Sequence, residues 1–285
     1  MNEVYIFHHV FKTGGTSFNL AYVPGAFSPG EAFVLGGSEP PNSSDLRRAI
    51  AFSNNERARL KMIAGHNTGE LRPFYPQARY LSLVRDPVER SLSAYLHYKH
   101  HPEAWESTGR MIHENNIGIA EFVEANWFNK AHNLQTRLLL GPEFMTSEPR
   151  DDASVTAAIR SRFHLIGYTE ALEKFLFYLH LADGFPLVLF NKRLVRQERH
   201  THRPAPEDFE AIERHNRLDR AFYRCARAEF DRKVAELWTP EAEELFRRYT
   251  SATELYRTST DGDPNAIPLP WSPSEGGGIV QGAWR

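Results

Sequence analysis

The stretch VYIFHHVFKTGGTSF, residues 4–18, joins an apolar run to a glycine-containing turn and then to residues that can begin a helix. The β-branched and aromatic side chains at 4–10 predict a strand, and residues 18–21 can start a helix. A strand–turn–helix unit directs several main-chain N–H groups and the positive end of the helix dipole at one point. Hydroxyl groups and a lysine add further donors. We therefore expect this turn to bind a phosphate group through Lys12, Thr13, Gly14, Gly15, Thr16 and Ser17.

The order of residues in the turn departs from two common nucleotide-binding motifs. The nucleoside-triphosphate loop G-x-x-x-x-G-K-[ST] places its lysine after the last glycine, whereas Lys12 precedes Gly14 and Gly15. The dinucleotide fingerprint G-x-G-x-x-G is also absent at this position. Because any strand-to-helix turn can contain glycine, lysine and threonine, the turn taken alone also fits a purely structural role.

A second motif follows the strand-like run RYLSLV, residues 79–84. Asp86 is a good N-cap and Pro87 suits the first position of a helix, so a helix should begin there. Arg85 would then lie at the carboxyl end of a strand, where open α/β sheets bind ligands. Together with Ser93, about two turns into the helix, its guanidinium could bind a second phosphate. The alternative is that Arg85 pairs with Asp86 or Glu89 and that Ser93 is an ordinary helix residue.

The two motifs together resemble the sulfotransferase superfamily that uses 3'-phosphoadenosine-5'-phosphosulfate (PAPS). They are most similar to the carbohydrate-sulfating branch, which includes heparan sulfate 2-O-sulfotransferases. In that branch a turn like residues 9–18 holds the 5'-phosphosulfate, and a motif like residues 84–95 holds the 3'-phosphate, here through Arg85 and Ser93. Weaker similarity at 65–66, 133–137 and 166–170 extends the resemblance over most of residues 4–205. The resemblance implies sulfuryl transfer from PAPS to an acceptor hydroxyl on a carbohydrate or a small molecule, without a metal ion.

Sulfuryl transfer needs charge stabilisation on the moving group and a base for the acceptor proton, much as phosphoryl transfer does. Lys12 is the candidate stabiliser, helped by the N–H and hydroxyl groups of its turn. His66 is the candidate base, because it follows the predicted strand 61–65 and its natural pKa lies near neutrality. The resemblance assigns the same role to the histidine of a Gly-His pair. Glu70 is the second candidate, and the alternative for His66 is a capping role in a helix or turn.

The resemblance also leads to expectations for three polar residues and for the number of histidines at the site. The resemblance places Asn133, Gln135 and Arg137 near the site, with helix capping as the alternative. The branch often has another histidine two residues before the base, where this chain has Ala64, so we expect a single histidine there. In the His8-His9 pair, successive strand side chains face opposite ways, so at most one can face the site.

A basic segment spans Asn191 to Arg203 and contains five Lys or Arg residues against one acid, Glu198. Sulfotransferases of the resembled type close such a segment over the bisphosphate. The resemblance therefore predicts a lid in which Arg196 and Arg199 contact the cofactor. The alternative is a solvated loop.

The composition narrows the class of protein. The chain has 285 residues and a formal net charge of −2, which argues against a general nucleic-acid binder. Cys225 is the only cysteine, so no internal disulfide can form, and we find neither a signal peptide nor an apolar run long enough to span a membrane. These features predict a cytoplasmic, bacterial protein, unlike the anchored animal Golgi enzymes. His97 and His101 have the helical spacing of a metal-binding pair, but no H-E-x-x-H pattern or cysteine cluster accompanies them, so we expect no metal site.

Strand-like runs at 4–10, 61–65, 79–84, 164–169 and 186–190 alternate with helical patterns. This alternation predicts an α/β protein: a three-layer, P-loop-like fold with a mostly parallel central sheet flanked by helices. We expect a sulfotransferase domain over residues 1–258 and a Pro/Gly-rich, extended C-terminal tail over 259–285, where two tryptophans could dock on the body. The polar stretch 100–116 is expected to be a surface insertion. Two other functions stay open: a nucleotide-dependent kinase or phosphotransferase, which would need magnesium-binding carboxylates near Lys12, and a non-catalytic nucleotide-binding protein.

Overall fold

The computed structural model describes residues 3–36, 44–100, 106–126, 131–192 and 204–273. Its centre is a five-stranded sheet in which every neighbouring pair of strands is parallel, in the order β2-β3-β1-β4-β5. The strands are β1 (Tyr5–His8), β2 (Ala32–Val34), β3 (Met62–Gly65), β4 (Arg79–Val84) and β5 (Leu165–Tyr168). Side chains that alternate along β1 enter separate apolar cores, Ile6 on one face and Phe7 on the other. The predicted α/β fold with a parallel sheet between helical layers is confirmed.

The helices account for most of the remaining described chain. The first helical segment is continuous from Gly15 to Ala26 and contains a π-helical stretch, Phe18–Tyr22, which is a rare conformation often found near functional sites. Short 3-10 turns occupy Thr68–Leu71, Pro142–Phe144 and Thr169–Ala171. The α-helices are α1 (Gly15–Ser17), α2 (Val23–Ala26), α3 (Ser44–Ala51), α4 (Asn54–Arg59), α5 (Pro87–His100), α6 (Glu106–Glu114), α7 (Ile119–Ala125), α8 (Leu134–Leu139), α9 (Asp152–Arg162), α10 (Leu172–Asp183), α11 (Pro206–His215), α12 (Arg217–Leu237) and α13 (Pro240–Ser259).

The register of the sheet brings the candidate residues to one edge. His8, the last residue of β1, is level with Gly65 in β3 and with Ser82 in β4. The chain therefore leaves β1 and β3 side by side, while β4 continues for two more residues to Val84 before Arg85. Asp86 caps α5 as predicted, since its Oδ1 accepts hydrogen bonds from the N–H groups of Val88 and Glu89 at 2.9 and 3.2 Å.

One predicted strand lies outside the central sheet. The run at 186–190 contains β6 (Leu187–Leu189), which pairs antiparallel with β7 (Leu269–Trp271). The indole of Trp271 packs 5.7 Å from the ring of Tyr249, whose hydroxyl donates to the carbonyl of Val188 at 3.0 Å. Part of the segment expected to be an extended tail is thus a strand docked on α13, as one of its tryptophans suggested.

Two other expectations change in detail. The sequence pattern over 206–237 favours one continuous helix, but the structure has a break at Asn216, which separates α11 from α12. The stretch 100–116, expected to be a surface insertion, contains α6, and its Ile112 is buried in the same apolar cluster as Tyr95 of α5. Residues 101–105 and 127–130 lie outside the described residues.

Candidate active site

The turn after β1 is built to present main-chain N–H groups. Lys12 and Gly14 both have positive φ angles, 67° and 83°, which turn the chain sharply into the first helix. The hydroxyl of Thr13 is fully buried and donates to the carbonyl of Val10 at 2.9 Å, which closes the turn on itself. Across the described chain, no hydrogen-bond partner is found for three N–H groups at the start of the helix, those of Gly14, Gly15 and Thr16. An oxyanion could accept from them.

The predicted phosphate-binding residues of this turn divide into two kinds. The side chain of Thr13 is buried, and in this structure the proton of its hydroxyl is used within the turn. Ser17 is also buried, and its N–H donates to the carbonyl of Gly14 at 3.1 Å. Lys12 and Thr16 are only half-buried, which leaves their side chains accessible from the solvent side.

Lys12 is the one non-glycine residue of the turn in a left-handed conformation. That conformation costs a residue with a Cβ about 1–2 kcal/mol, so the surrounding contacts must maintain it. Its ammonium group lies 5.5 Å from the centroid of the Phe11 ring. Strain of this kind is typical of residues held in place for a function.

Arg85 lies directly beside the turn. Its side chain is almost completely buried, and Nη1 donates to the carbonyl of Lys12 at 3.4 Å. Nη2 forms an ion pair with Oε2 of Glu89 at 3.1 Å, as the alternative to phosphate binding proposed. The carboxylate of Glu89 is half-exposed, so an incoming phosphate could compete with it. Ser93 lies two turns into α5 and is largely buried.

The main chain of Arg85 is held by Gln135, which is fully buried. Oε1 of Gln135 accepts from the N–H of Arg85 at 2.7 Å, and Nε2 donates to the carbonyl of the same residue at 2.9 Å. The amide thus pairs with Arg85 as a neighbouring strand would. The N–H groups of Gln135 and Thr136 in turn donate to the buried carboxylate of Asp219, at 3.1 and 2.7 Å.

Helix capping explains the position of Asn133. Its Oδ1 accepts from the N–H groups of Leu218 and Asp219 at the start of α12, at 3.0 and 3.1 Å. Asp219 meanwhile accepts from the first turn of α8, so each helix supplies the cap of the other. Of the three polar residues that the resemblance placed near the site, Gln135 thus contacts the main chain of Arg85, Asn133 caps α12, and Arg137 lies half-buried in the last turn of α8.

Thr169, directly after β5, connects the two motifs and was not predicted. Its Oγ1 lies 2.7 Å from the carbonyl oxygen of Thr13 and 3.1 Å from that of Val84, so its single proton is shared between them. Its Cγ2 lies so close to Gly14 that a Cβ added there would be 3.1 Å away. A signal was present in the sequence, since Thr169 follows a strand at the same edge as Arg85.

His66 follows β3 and is half-buried. Its Nδ1 lies 2.8 Å from the carbonyl oxygen of His9. Because a carbonyl can only accept, Nδ1 carries a proton, and the neutral ring has its basic lone pair on Nε2. Glu70, the second candidate base, is exposed in the 3-10 turn that follows.

The expectation of a single histidine at this position is wrong. The ring of His9, from the end of β1, stacks on the ring of His66 with centroids 4.0 Å apart and planes inclined by 22°. Nδ2 of Asn19 lies 3.3 Å from Nδ1 of His9. Burial, followed by the nearby charges of His66, His8 and Lys12, holds the pKa of His9 well below its usual value, so this ring is neutral.

His8 faces away from His9, as strand alternation requires. Its ring lies against Gly69, where an added Cβ would be 3.0 Å from Cε1. Burial, with smaller contributions from His66 and Arg72, lowers the pKa of His8 to about 4. His8 is therefore a packed, neutral histidine.

The predicted lid is described only at its beginning. Asn191 donates to Oγ1 of Thr260 at 2.8 Å, and Nζ of Lys192 pairs with Glu173 at 2.9 Å. Arg196 and Arg199 lie outside the described residues.

The described segments contain no group of three or more His, Cys, Asp or Glu side chains arranged to hold a metal ion. His101 of the spaced histidine pair lies outside them. None of the helices in the described ranges has the length and apolar character needed to cross a bilayer.

Comparison of the chain with protein-family models gave no match, and comparison with curated proteins gave none either.

Proposed function

We propose that this protein is a sulfotransferase that moves a sulfuryl group from PAPS to an acceptor hydroxyl on a carbohydrate or a small molecule. One observation carries the proposal: the turn at Lys12 and the guanidinium of Arg85 touch each other at the carboxyl edge of the sheet, with His66 at the same edge. Two donor-rich elements in contact, with a histidine at the same edge of the sheet, fit a doubly phosphorylated donor and a proton-transfer step.

The residues present fit such a donor. The three N–H groups at the start of the first helix suit the 5'-phosphate, because they lie at the positive end of the helix and have no hydrogen-bond partner in the described chain. Arg85 and Ser93 suit the 3'-phosphate, because burial of the guanidinium reduces solvent screening of its charge. When bound, PAPS would supply an activated sulfuryl group attached to a phosphate leaving group.

Each remaining role belongs to a residue of this chain. Lys12 would neutralise negative charge that develops on the oxygens next to its turn. Nε2 of His66 would accept the proton of the acceptor hydroxyl, since Nδ1 is already committed to the carbonyl of His9.

The sole cysteine, Cys225, leaves no possibility of an internal disulfide, which supports the proposal of a cytoplasmic protein.

Binding is tested first. Adenosine 3',5'-bisphosphate without magnesium should raise the melting temperature, and Lys12→Ala and Arg85→Ala should each abolish the rise. Lys61→Ala is the matched control, because Lys61 lies before β3 at the opposite edge of the sheet and pairs with Glu31 on the surface. If magnesium-ATP stabilised the protein and the bisphosphate did not, the result would refute the sulfotransferase function and support the phosphotransferase function.

Turnover is tested next, by following label from a radioactive sulfate donor into extracted glycans and metabolites. His66→Ala should remove label transfer and leave the Kd for the bisphosphate within about twofold, since the base acts only on the acceptor proton. If His66→Ala lost both bisphosphate binding and label transfer, His66 would have a structural role and not that of the base. Bisphosphate binding without transfer to any acceptor would favour the non-catalytic nucleotide-binding protein.

A further inference from the structure

His9 lies between the two parts of the candidate site. The edge of its ring covers Gly15, where an added Cβ would be 2.0 Å from Cδ2, and its face stacks on His66. We propose that His9 is a positioning residue that holds the imidazole of His66 at a fixed distance from the phosphate-binding turn. Its use in catalysis rests on the proposed function, whereas its geometric role does not.

The main chain and the side chain of His9 act on different features of His66. The carbonyl of His9 accepts from Nδ1 of His66 at 2.8 Å, which fixes the tautomer. A hydrogen bond at Nδ1 does not by itself fix the plane of the imidazole, which can turn away from the carbonyl when nothing packs against its face. The ring of His9, with its centroid 4.0 Å from that of His66, blocks rotation of the imidazole towards one side and so restricts the direction of Nε2.

The position of His9 is itself well determined. Its ring is buried and lies against Gly15, the only residue type that leaves room for it there. The amide of Asn19, in the first helix, contacts Nδ1 of His9 at 3.3 Å. A movement of the turn would therefore move His9, and His9 would move His66.

The neutral state of His9 suits this role. A base that accepts a proton becomes a cation, and a second charged imidazole in stacking contact would oppose that step. Burial keeps His9 uncharged, so it can touch His66 without this penalty. The other titratable groups whose charges act on His9 are His8, behind the strand, and Lys12.

Nitrogen-15 NMR of the imidazole rings, recorded on the protein without donor, tests the geometry. In the wild-type protein Nδ1 of His66 should be protonated and Nε2 should carry the lone pair. His9→Ala should bring the two nitrogen signals closer together, because a ring released on one side can turn away from the carbonyl of residue 9 and exchange its tautomers, whereas His9→Phe keeps a stacked ring and should retain the wild-type pattern. His8→Ala is the matched control, since His8 is equally buried on the other face of β1 and should change only stability.

Kinetics with the sulfate donor test the consequence. His9→Ala should lower kcat about a hundredfold, the usual effect of a displacement of about 1 Å, and His9→Phe should restore most of it. A wild-type His66 protonated at Nε2, or a His9→Ala variant with unchanged signals and kcat, would overturn the proposal. A protein that binds no bisphosphate, yet shows the expected nitrogen signals in all three variants, would support the role of His9 and refute the sulfotransferase.

Discussion

Replacement of Gln135 by leucine should separate the support of Arg85 from general packing. Leucine has nearly the same volume but cannot pair with the N–H and carbonyl groups of Arg85, which Gln135 contacts at 2.7 and 2.9 Å. The site is fully buried, so water does not replace the lost partners. Each unsatisfied buried group costs about 1–3 kcal/mol, so the free energy of unfolding should fall by about 2–6 kcal/mol.

Binding of the bisphosphate should weaken in the same variant. If the displaced guanidinium of Arg85 loses one charge-assisted hydrogen bond to a phosphate, worth about 1.5–3 kcal/mol, the Kd rises about ten- to a hundredfold. Urea unfolding followed by circular dichroism gives the stability, and isothermal titration calorimetry of the folded protein gives the Kd.

Thr136→Val is the matched control for Gln135→Leu, since Thr136 is the next residue of α8 and is also buried. Its Oγ1 has no hydrogen-bond partner anywhere in the described chain, so removal of this hydroxyl should leave stability unchanged or raise it. The Kd should stay at the wild-type value. Equal losses in the two variants, or an unchanged Kd in Gln135→Leu, would refute the view that Gln135 acts through Arg85.

Three further outcomes are expected. Glu89→Gln should tighten bisphosphate binding by up to about fivefold in calorimetry, because the phosphate then displaces no ion pair, and a half-exposed pair contributes at most about 1 kcal/mol. The contribution of His8 to stability is complete above its unfolded pKa of about 6.5 and is lost as pH falls towards its folded pKa of about 4. That difference corresponds to about 3 kcal/mol, so His8→Phe should flatten the pH dependence of urea unfolding in this window. Gly14→Ala should lower the melting temperature and weaken bisphosphate binding, because alanine at φ 83° costs about 1–2 kcal/mol and its Cβ would approach Thr169.

The parallel sheet and the edge that carries the candidate site could be predicted from the sequence, because both depend on local patterns. The runs before His66 and Arg85 are apolar and bounded by polar residues, and the Asp86-Pro87 pair marks the start of a helix. The pairing of β6 with β7 was not accessible. β7 is three residues long, contains Pro270 and lies about 80 residues from its partner, and proline normally argues against a strand.

The directions of the side chains in the turn after β1 could not be predicted from the sequence either. A hydroxyl next to glycines suggests a phosphate ligand, but Thr13 uses its hydroxyl to hold the turn closed. Conversely, Thr169 contacts both candidate motifs and lies 85 residues from Val84, while Gln135 contacts one of them and lies 50 residues from Arg85. Such contacts follow from tertiary packing, which no local pattern records.

The pair formed by His9 and His66 comes from two neighbouring strands and not from one strand. The absence of a histidine at Ala64 argues against a pair only if both members must come from β3. β1 and β3 are neighbours with His8 level with Gly65, so the residues that follow, His9 and His66, leave the sheet side by side. A second histidine at the end of the adjacent parallel strand can reach the same place as one from the same strand. Side chains that follow different strands of a parallel sheet can therefore form one pair, and here His9 and His66 join the candidate phosphate-binding turn to the candidate base.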